Sequence, residues 1–167
     1  MVDQYSPFTE MPFGYPGRVF RSRMPFDERD PHGDLFGCYL AESIQVVVVL
    51  ADDEEILMCT GRDLRAEYLR QGLSVIHLPI PDFSTPPLDT LDRAVLCSLD
   101  EIRSGKNLVA HCHAGMGRTG LFLACLAIRG LQLSAGEAIH WVRKAVPGAI
   151  ETPDQIRFVR DYGDHLC

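Results

Sequence analysis

The stretch Leu108-Val-Ala-His-Cys-His-Ala-Gly-Met-Gly-Arg-Thr-Gly120 decides how the rest of this chain of 167 residues is interpreted. An apolar run ends at His111, Cys112 follows directly, and a second apolar run begins at Leu121. The pattern predicts a strand, a tight loop and a helix in that order. It places the thiol at the end of the strand and Arg118 at the N-terminus of the helix.

Residues 112–118, called the signature loop below, have the composition of an anion-binding loop. Gly115 and Gly117 tolerate the positive φ angles that a tight loop requires. Successive backbone N–H groups in such a loop can surround an anion, and the helix N-terminus adds partial positive charge. Arg118 can hold two phosphate oxygens through paired hydrogen bonds, and this positive field favours the thiolate form of Cys112. The loop therefore predicts a phosphatase site with Cys112 as nucleophile; the alternative is a structural cysteine on a glycine-containing turn.

The pattern His-Cys-x-x-Gly-x-Gly-Arg-Thr-Gly resembles the signature of the cysteine-dependent protein tyrosine and dual-specificity phosphatases. The chain is most similar to the small dual-specificity enzymes, including the kinase-associated type, over residues 18 to 162. The resemblance implies a cysteine-phosphatase fold and a phosphocysteine intermediate, with neither a metal nor another cofactor. It also implies that the substrate phosphate contacts the loop residues His113, Ala114, Gly115, Met116, Gly117 and Arg118.

The segment Pro79–Pro87, called the acid loop below, carries the candidate general acid. Loss of the phosphate ester's leaving group needs a proton, and a mobile segment can deliver it while excluding water. Asp82 lies in this proline-rich segment after a predicted strand, where the resemblance also places the family's acid. The alternative is that Asp82 only caps a turn after Pro81. Asp89 and Asp92 are reserve candidates on the helix that follows.

Three further residues receive supporting roles. Thr119 can donate its hydroxyl to the Cys112 thiolate, and the resemblance implies that it helps the cysteine leave the phosphoryl group. His111 is expected to brace the loop through hydrogen bonds rather than to move protons. Gln155 lies near the active site in similar enzymes and could position the hydrolytic water. It could equally be only the third residue of a helix that Thr152 caps.

Strand-like and helix-like segments alternate along the chain. Strands are expected at Arg18–Ser22, Ile44–Leu50, Ser74–Leu78 and before Cys112, and helices between and after them, as at Leu88–Ser104. Ser134 and Glu137 have the spacing of a capping box and predict the start of a further helix. This order predicts an α/β fold with a central, mostly parallel, twisted sheet flanked by helices. Residues 18–167 form the predicted catalytic domain, and residues 1–17 are expected to be a docked strap or a tail. The helix after the signature loop is expected to end at Gly130.

Composition excludes several functional classes. A net charge of −7 argues against nucleic acid or an anionic membrane as partner. The six cysteines show no metal-binding spacing, and the N-terminus shows no signal peptide. A cytoplasmic monomer is therefore expected.

The predicted function is hydrolysis of phosphotyrosine proteins, with phosphoserine and phosphothreonine proteins as further substrates. One alternative is a phosphoinositide or inositol phosphatase. The absence of lysines at His113 and Met116 disfavours it, because relatives that act on such substrates carry lysines there. The other alternative is a module that binds phosphoproteins without turning them over.

Overall fold

The computed structural model describes residues 6–167, and a five-stranded sheet forms its centre. The sheet order is β1-β2-β5-β3-β4. β1 pairs with β2 in antiparallel fashion, whereas the remaining neighbours are parallel. This arrangement confirms the predicted mostly parallel sheet. The strands are β1 (Phe8–Met11), β2 (Val19–Ser22), β3 (Ile44–Val49), β4 (Ser74–His77) and β5 (Asn107–His111).

Helices cover both faces of this sheet. The four consecutive valines of β3 are therefore buried on both sides of the sheet. Val46 and Val48 pack into one apolar cluster, and Val47 and Val49 pack into the other. A strand buried on both faces has no polar side, which explains its continuous apolar sequence. The helices are α1 (Asp34–Ala41), α2 (Asp53–Thr60), α3 (Leu64–Arg70), α4 (Leu88–Arg103), α5 (Gly117–Leu131), α6 (Ala135–Ala145) and α7 (Pro153–His165).

Two of the helix starts are the ones that the sequence predicts. Ser134 and Glu137 form a complete capping box at the start of α6. Thr152 and Gln155 form a second one at α7, with Pro153 in the first turn. Each box satisfies backbone N–H groups that a helix start would otherwise leave without partners.

Two features of the fold differ from the sequence-based expectation. Within the expected strap 1–17, residues 1–5 lie outside the described part, and Phe8–Met11 form an edge strand that no prediction included. The helix α5 runs through Gly130 and ends at Leu131, with Gln132 in the left-handed region. Gly130 instead lies where neighbouring residues approach the helix backbone closely. Its carbonyl accepts a 2.6 Å hydrogen bond from the Tyr15 hydroxyl. A side chain at Gly130 would meet Leu99 at 2.8 Å.

The topology decides where the signature loop lies. β5 pairs with β2 on one side and β3 on the other, so Cys112 follows a central strand at its carboxyl end. Crevices at that edge are the usual ligand sites of parallel sheets. Within residues 6–167 no helix is long and apolar enough to cross a membrane.

Candidate active site

Backbone hydrogen bonds hold the signature loop in a fixed curve. The carbonyls of His113 and Met116 accept bonds from the backbone N–H groups of Met24, at 2.8 Å, and Ile150, at 3.2 Å. The N–H of Gly115 points the other way and lies 3.3 Å from the Cys112 sulfur. Outward carbonyls and an inward amide are what an anion-binding loop requires.

Glycine is needed at two positions of this loop. Gly115 has a φ of 74°, and a Cβ there would lie 2.4 Å from the Ser22 carbonyl oxygen. A Cβ on Gly117 would lie 2.4 Å from a carboxylate oxygen of Glu151. The first position combines backbone strain with a steric clash. The lack of a side chain at Gly117 leaves room for the Glu151 carboxylate beside the start of α5.

A pocket of about 130 Å³ contains the predicted nucleophile, the predicted acid and the arginine. Cys112 and Arg118 form its floor and are 2% and 1% exposed, whereas the Asp82 side chain is 48% exposed. The predicted residues of the signature and acid loops therefore meet in space. The pocket is lined by Asp82, Phe83, Cys112, His113, Ala114, Gly117, Arg118 and Glu151.

The guanidinium group of Arg118 is held mainly by Glu55, a residue that the sequence analysis missed. Its two terminal nitrogens each donate a 2.7 Å hydrogen bond to one carboxylate oxygen of Glu55. One of them also donates to the Ile80 carbonyl at 2.9 Å, and the other lies 3.0 Å from Asp82. Burial alone would lower the pKa of Arg118. The bonds to Glu55 and the charge of Cys112 outweigh it and raise that pKa above its ordinary value.

Part of the Arg118 hydrogen-bonding capacity is unused. Its Nε is buried and has no partner among residues 6–167. The same holds for the Thr119 hydroxyl, so the structure lacks the expected hydrogen bond from Thr119 to Cys112. A buried donor without a partner costs free energy, and both donors adjoin the loop that would receive an anion.

His111 directly precedes the signature loop and is held at both ring nitrogens. It is fully buried, with Nε2 3.0 Å from the Tyr68 hydroxyl and Nδ1 3.0 Å from the Cys112 carbonyl oxygen. Burial lowers its pKa to about 4. The ring is therefore neutral at pH 7 and is held against the Cys112 backbone.

His113 and Met116 of the signature loop differ in their relation to the pocket, which only His113 lines among these two. His113 is partly exposed, and its Nε2 lies 3.4 Å from the buried carboxylate of Asp27, which also accepts a 2.8 Å hydrogen bond from Arg23. Met116 precedes α5 and does not line the pocket. The His113 imidazole is thus drawn towards the loop after β2.

Gln155 is buried behind the pocket instead of lining it. Its Oε1 accepts the backbone N–H groups of Glu151, at 2.9 Å, and Thr152, at 3.3 Å. Its Nε2 donates to the Ser84 carbonyl at 3.2 Å. The side chain acts as a cap and connects the acid loop to the segment before α7. The reserve acid Asp92 is also engaged elsewhere, since it binds Arg129 and the Tyr162 hydroxyl.

The described residues contain no group of three or more His, Cys, Asp or Glu side chains that could hold a metal ion. The groups that line the candidate site are a cysteine sulfur, one guanidinium, backbone N–H groups and carboxyl groups.

Comparison with known proteins identifies the same region. The family described as "polymorphic toxin system, DSP-PTPase phosphatase" matches residues 29–132. The crystal structure of Tk-PTP in its active form is 30% identical, with a TM-score of 0.78 over 93% of this chain and 97% of that one. Kinase associated phosphatase with its catalytic cysteine replaced by serine is 20% identical, with a TM-score of 0.86 over 98% and 97% of the two chains. That second likeness supports the fold alone.

Among curated proteins, the zebrafish (Danio rerio) protein tyrosine phosphatase domain-containing protein 1 is 31% identical over 99 residues. The match covers 59% of this chain and only 14% of the zebrafish protein. The rat (Rattus norvegicus) cyclin-dependent kinase inhibitor 3 is 27% identical over 133 residues, 76% of this chain and 61% of that protein. The chain thus spans less than two thirds of these relatives.

Proposed function

Because this chain belongs to the DSP-PTPase phosphatases, within the cysteine-based protein tyrosine and dual-specificity phosphatase superfamily, we propose that it hydrolyses phosphomonoesters through a phosphocysteine intermediate. The observation that carries the proposal is the joint placement of Cys112, Arg118 and Asp82 in one small pocket. Its preferred substrates are phosphotyrosine proteins, with phosphoserine and phosphothreonine proteins as further substrates.

In the first step the Cys112 thiolate attacks phosphorus and the bond to the leaving oxygen breaks. The N–H groups of the signature loop and Arg118 stabilise the three equatorial oxygens. The unpartnered Nε of Arg118 is one donor ready for such an oxygen.

Asp82 supplies the proton for the leaving group. Without substrate, Asp82 forms an ion pair with a terminal nitrogen of Arg118 at 3.0 Å. A bound phosphate competes for that nitrogen and frees Asp82, whose side chain is half exposed. The freed carboxylate takes up a proton from solvent and then donates it to the ester oxygen. The acid loop is therefore expected to rearrange when substrate binds.

In the second step water attacks the phosphocysteine and the thiolate leaves. Thr119, whose hydroxyl is buried without a partner in the described structure, is the expected donor to that thiolate. The proton of the water must pass to a carboxylate in the pocket. Asp82, which has just lost its own proton, is one candidate acceptor.

Turnover assays in the presence of a chelator test this function. The substrates are a phosphotyrosine peptide, a phosphothreonine peptide and a soluble phosphoinositide, each offered to wild type, Cys112→Ser and Asp82→Asn. Wild type is expected to hydrolyse the phosphotyrosine peptide fastest, and Cys112→Ser to show background rates with binding retained. Asp82→Asn should lose about 10²–10⁴-fold in kcat, because an amide cannot donate the proton that the leaving group needs.

The two alternatives have distinct outcomes in the same assays. Faster turnover of the phosphoinositide than of the two peptides would favour the phosphoinositide or inositol phosphatase alternative. Tight binding of phosphopeptides by wild type without any turnover would contradict the catalytic proposal and leave a recognition module.

A further inference from the structure

The pocket contains a second carboxylate that no part of the proposed reaction uses. Glu151 lies in the segment between α6 and α7 and lines the same pocket as Cys112, Arg118 and Asp82. Its carboxylate occupies the space that a side chain on Gly117 would fill, at the first residue of α5. It therefore lies beside the N–H groups that would surround the phosphoryl group.

The backbone around Glu151 is held firmly in relation to the signature loop. The N–H of Ile150 donates to the Met116 carbonyl at 3.2 Å. The Arg143 guanidinium donates to the carbonyls of Ala149, at 2.9 Å, and Ile150, at 3.0 Å. Gln155 accepts the Glu151 N–H at 2.9 Å. These bonds fix where the Glu151 side chain begins, whatever the position of the acid loop.

The two pocket carboxylates differ in their surroundings. Asp82 is on an exposed loop and pairs with Arg118. Partial burial is the main cause that raises the pKa of Glu151, and the nearby charge of Asp82 raises it further. Arg118 and the Gly117 backbone act in the opposite direction. Carboxyl groups in one site whose environments differ in this way commonly divide the acid and base roles.

We propose that Glu151 is a catalytic residue for the second step, in which it binds the attacking water and accepts its proton. The proposal rests on the phosphocysteine mechanism. The water oxygen forms a bond to phosphorus, the P–S bond breaks, and its electron pair returns to Cys112 as the thiolate. The water proton goes to the Glu151 carboxylate, and inorganic phosphate leaves.

This division of labour explains why Asp82 and Glu151 are held so differently. The leaving group differs from substrate to substrate, so its acid benefits from a loop that can adjust. The attacking water always approaches the same phosphocysteine, so its base benefits from a fixed position. A carboxylate with a raised pKa is also the stronger base near neutral pH.

Rapid-mixing kinetics with para-nitrophenyl phosphate separate the two steps. Release of nitrophenol in the first turnover reports formation of the phosphocysteine, and the steady-state rate reports its hydrolysis. Glu151→Gln is expected to keep a first-turnover burst close to that of wild type while kcat falls by about 10²-fold. Acid quenching followed by intact-protein mass measurement should then show phosphorylated Glu151→Gln protein accumulating during turnover.

Two further variants complete the design. Asp154→Asn removes an exposed carboxylate three positions along the chain, which pairs only with the exposed Arg157 at 3.2 Å within the described structure, and it should behave as wild type. Glu151→Asp retains a carboxylate and should recover part of the hydrolysis rate. A purely structural role for Glu151 would not produce an accumulating phosphocysteine.

The outcomes distinguish this inference from the proposed function. An unchanged kcat in Glu151→Gln, or an equal loss in both steps without phosphocysteine, would overturn the role of Glu151 alone. A wild-type protein with neither burst nor turnover would instead overturn the phosphatase mechanism itself.

Discussion

The signature loop and the acid loop meet in one pocket but are built in opposite ways. Cys112 and Arg118 are 2% and 1% exposed, and hydrogen bonds from Met24 and Ile150 fix the loop that joins them. The acid loop instead exposes Phe83 by 62%, in a backbone conformation with a φ of 58°. One loop is part of the core, and the other lies on the surface.

This difference teaches how the site divides its tasks. Binding of the phosphoryl group needs donors that are already in position, because reorientation during the reaction would cost part of the stabilisation. Proton delivery to varied leaving groups needs a segment that can move. The exposed residues 81–83 of the acid loop lie between two anchored residues. Ile80 is buried and its carbonyl accepts a bond from Arg118, and the Ser84 carbonyl accepts one from Gln155.

The largest expected effect on stability comes from a substitution beside the buried signature loop. Glu55→Ala removes the two-bond partner of the Arg118 guanidinium and leaves a buried charge poorly paired. We expect a loss of about 3–5 kcal/mol in the free energy of unfolding, measured by urea denaturation. Turnover should fall as well, because the guanidinium loses its fixed orientation.

Glu54→Ala is the matched control, since Glu54 is exposed on the same helix turn. It should change the unfolding free energy by less than about 0.5 kcal/mol. Equal effects of the two substitutions would show that Glu55 acts through the helix α2 and not through Arg118.

An intermediate effect is expected from the pH dependence of stability. The pKa of His111 is about 4 in the folded protein, against about 6.5 for an ordinary histidine. Between these values the unfolded chain binds the proton more strongly, so stability is complete above pH 6.5 and falls as the pH drops to 4. The loss is on the order of 1.4 kcal/mol per pH unit in this window.

Urea denaturation of wild type and His111→Gln at several pH values isolates this contribution. The variant should be less stable at pH 7, because its contacts with Tyr68 and the Cys112 carbonyl are altered. Its stability should decline less between pH 6.5 and 4. Parallel curves for the two proteins would mean that His111 has the same pKa in the folded and unfolded protein, so that burial does not lower it.

The smallest effect on stability is expected from a substitution in the exposed part of the acid loop. Phe83→Ala removes an exposed ring from the acid loop and should change the unfolding free energy by less than about 0.5 kcal/mol. Because Phe83 lines the pocket, KM for a phosphotyrosine peptide should rise while KM for para-nitrophenyl phosphate changes little. A large loss of stability would show that the acid loop is part of the core after all.

Local patterns predicted much of the fold. The strand before Cys112, the glycines of the signature loop and the capping boxes at Ser134 and Thr152 each depend on neighbours in the sequence. Such features arise from backbone geometry and short-range hydrogen bonds, which a single sequence displays. The edge strand Phe8–Met11 was not predictable in this way, because its only sheet partner among the described strands is β2, from which a turn-rich segment separates it.

The sequence by itself determined the family of this protein, its α/β fold and its candidate nucleophile, because a loop that surrounds phosphate needs particular residues at consecutive positions. The tertiary structure alone decided which distant carboxylates face that loop. Glu55 reaches Arg118 from the start of α2, and Glu151 enters the pocket from the segment before α7. Neither has a local signal, since an acidic residue near a helix N-terminus is ordinary in any sequence. Only the contact of α2 with Arg118, and that of the segment before α7 with the start of α5, distinguish them from surface charges.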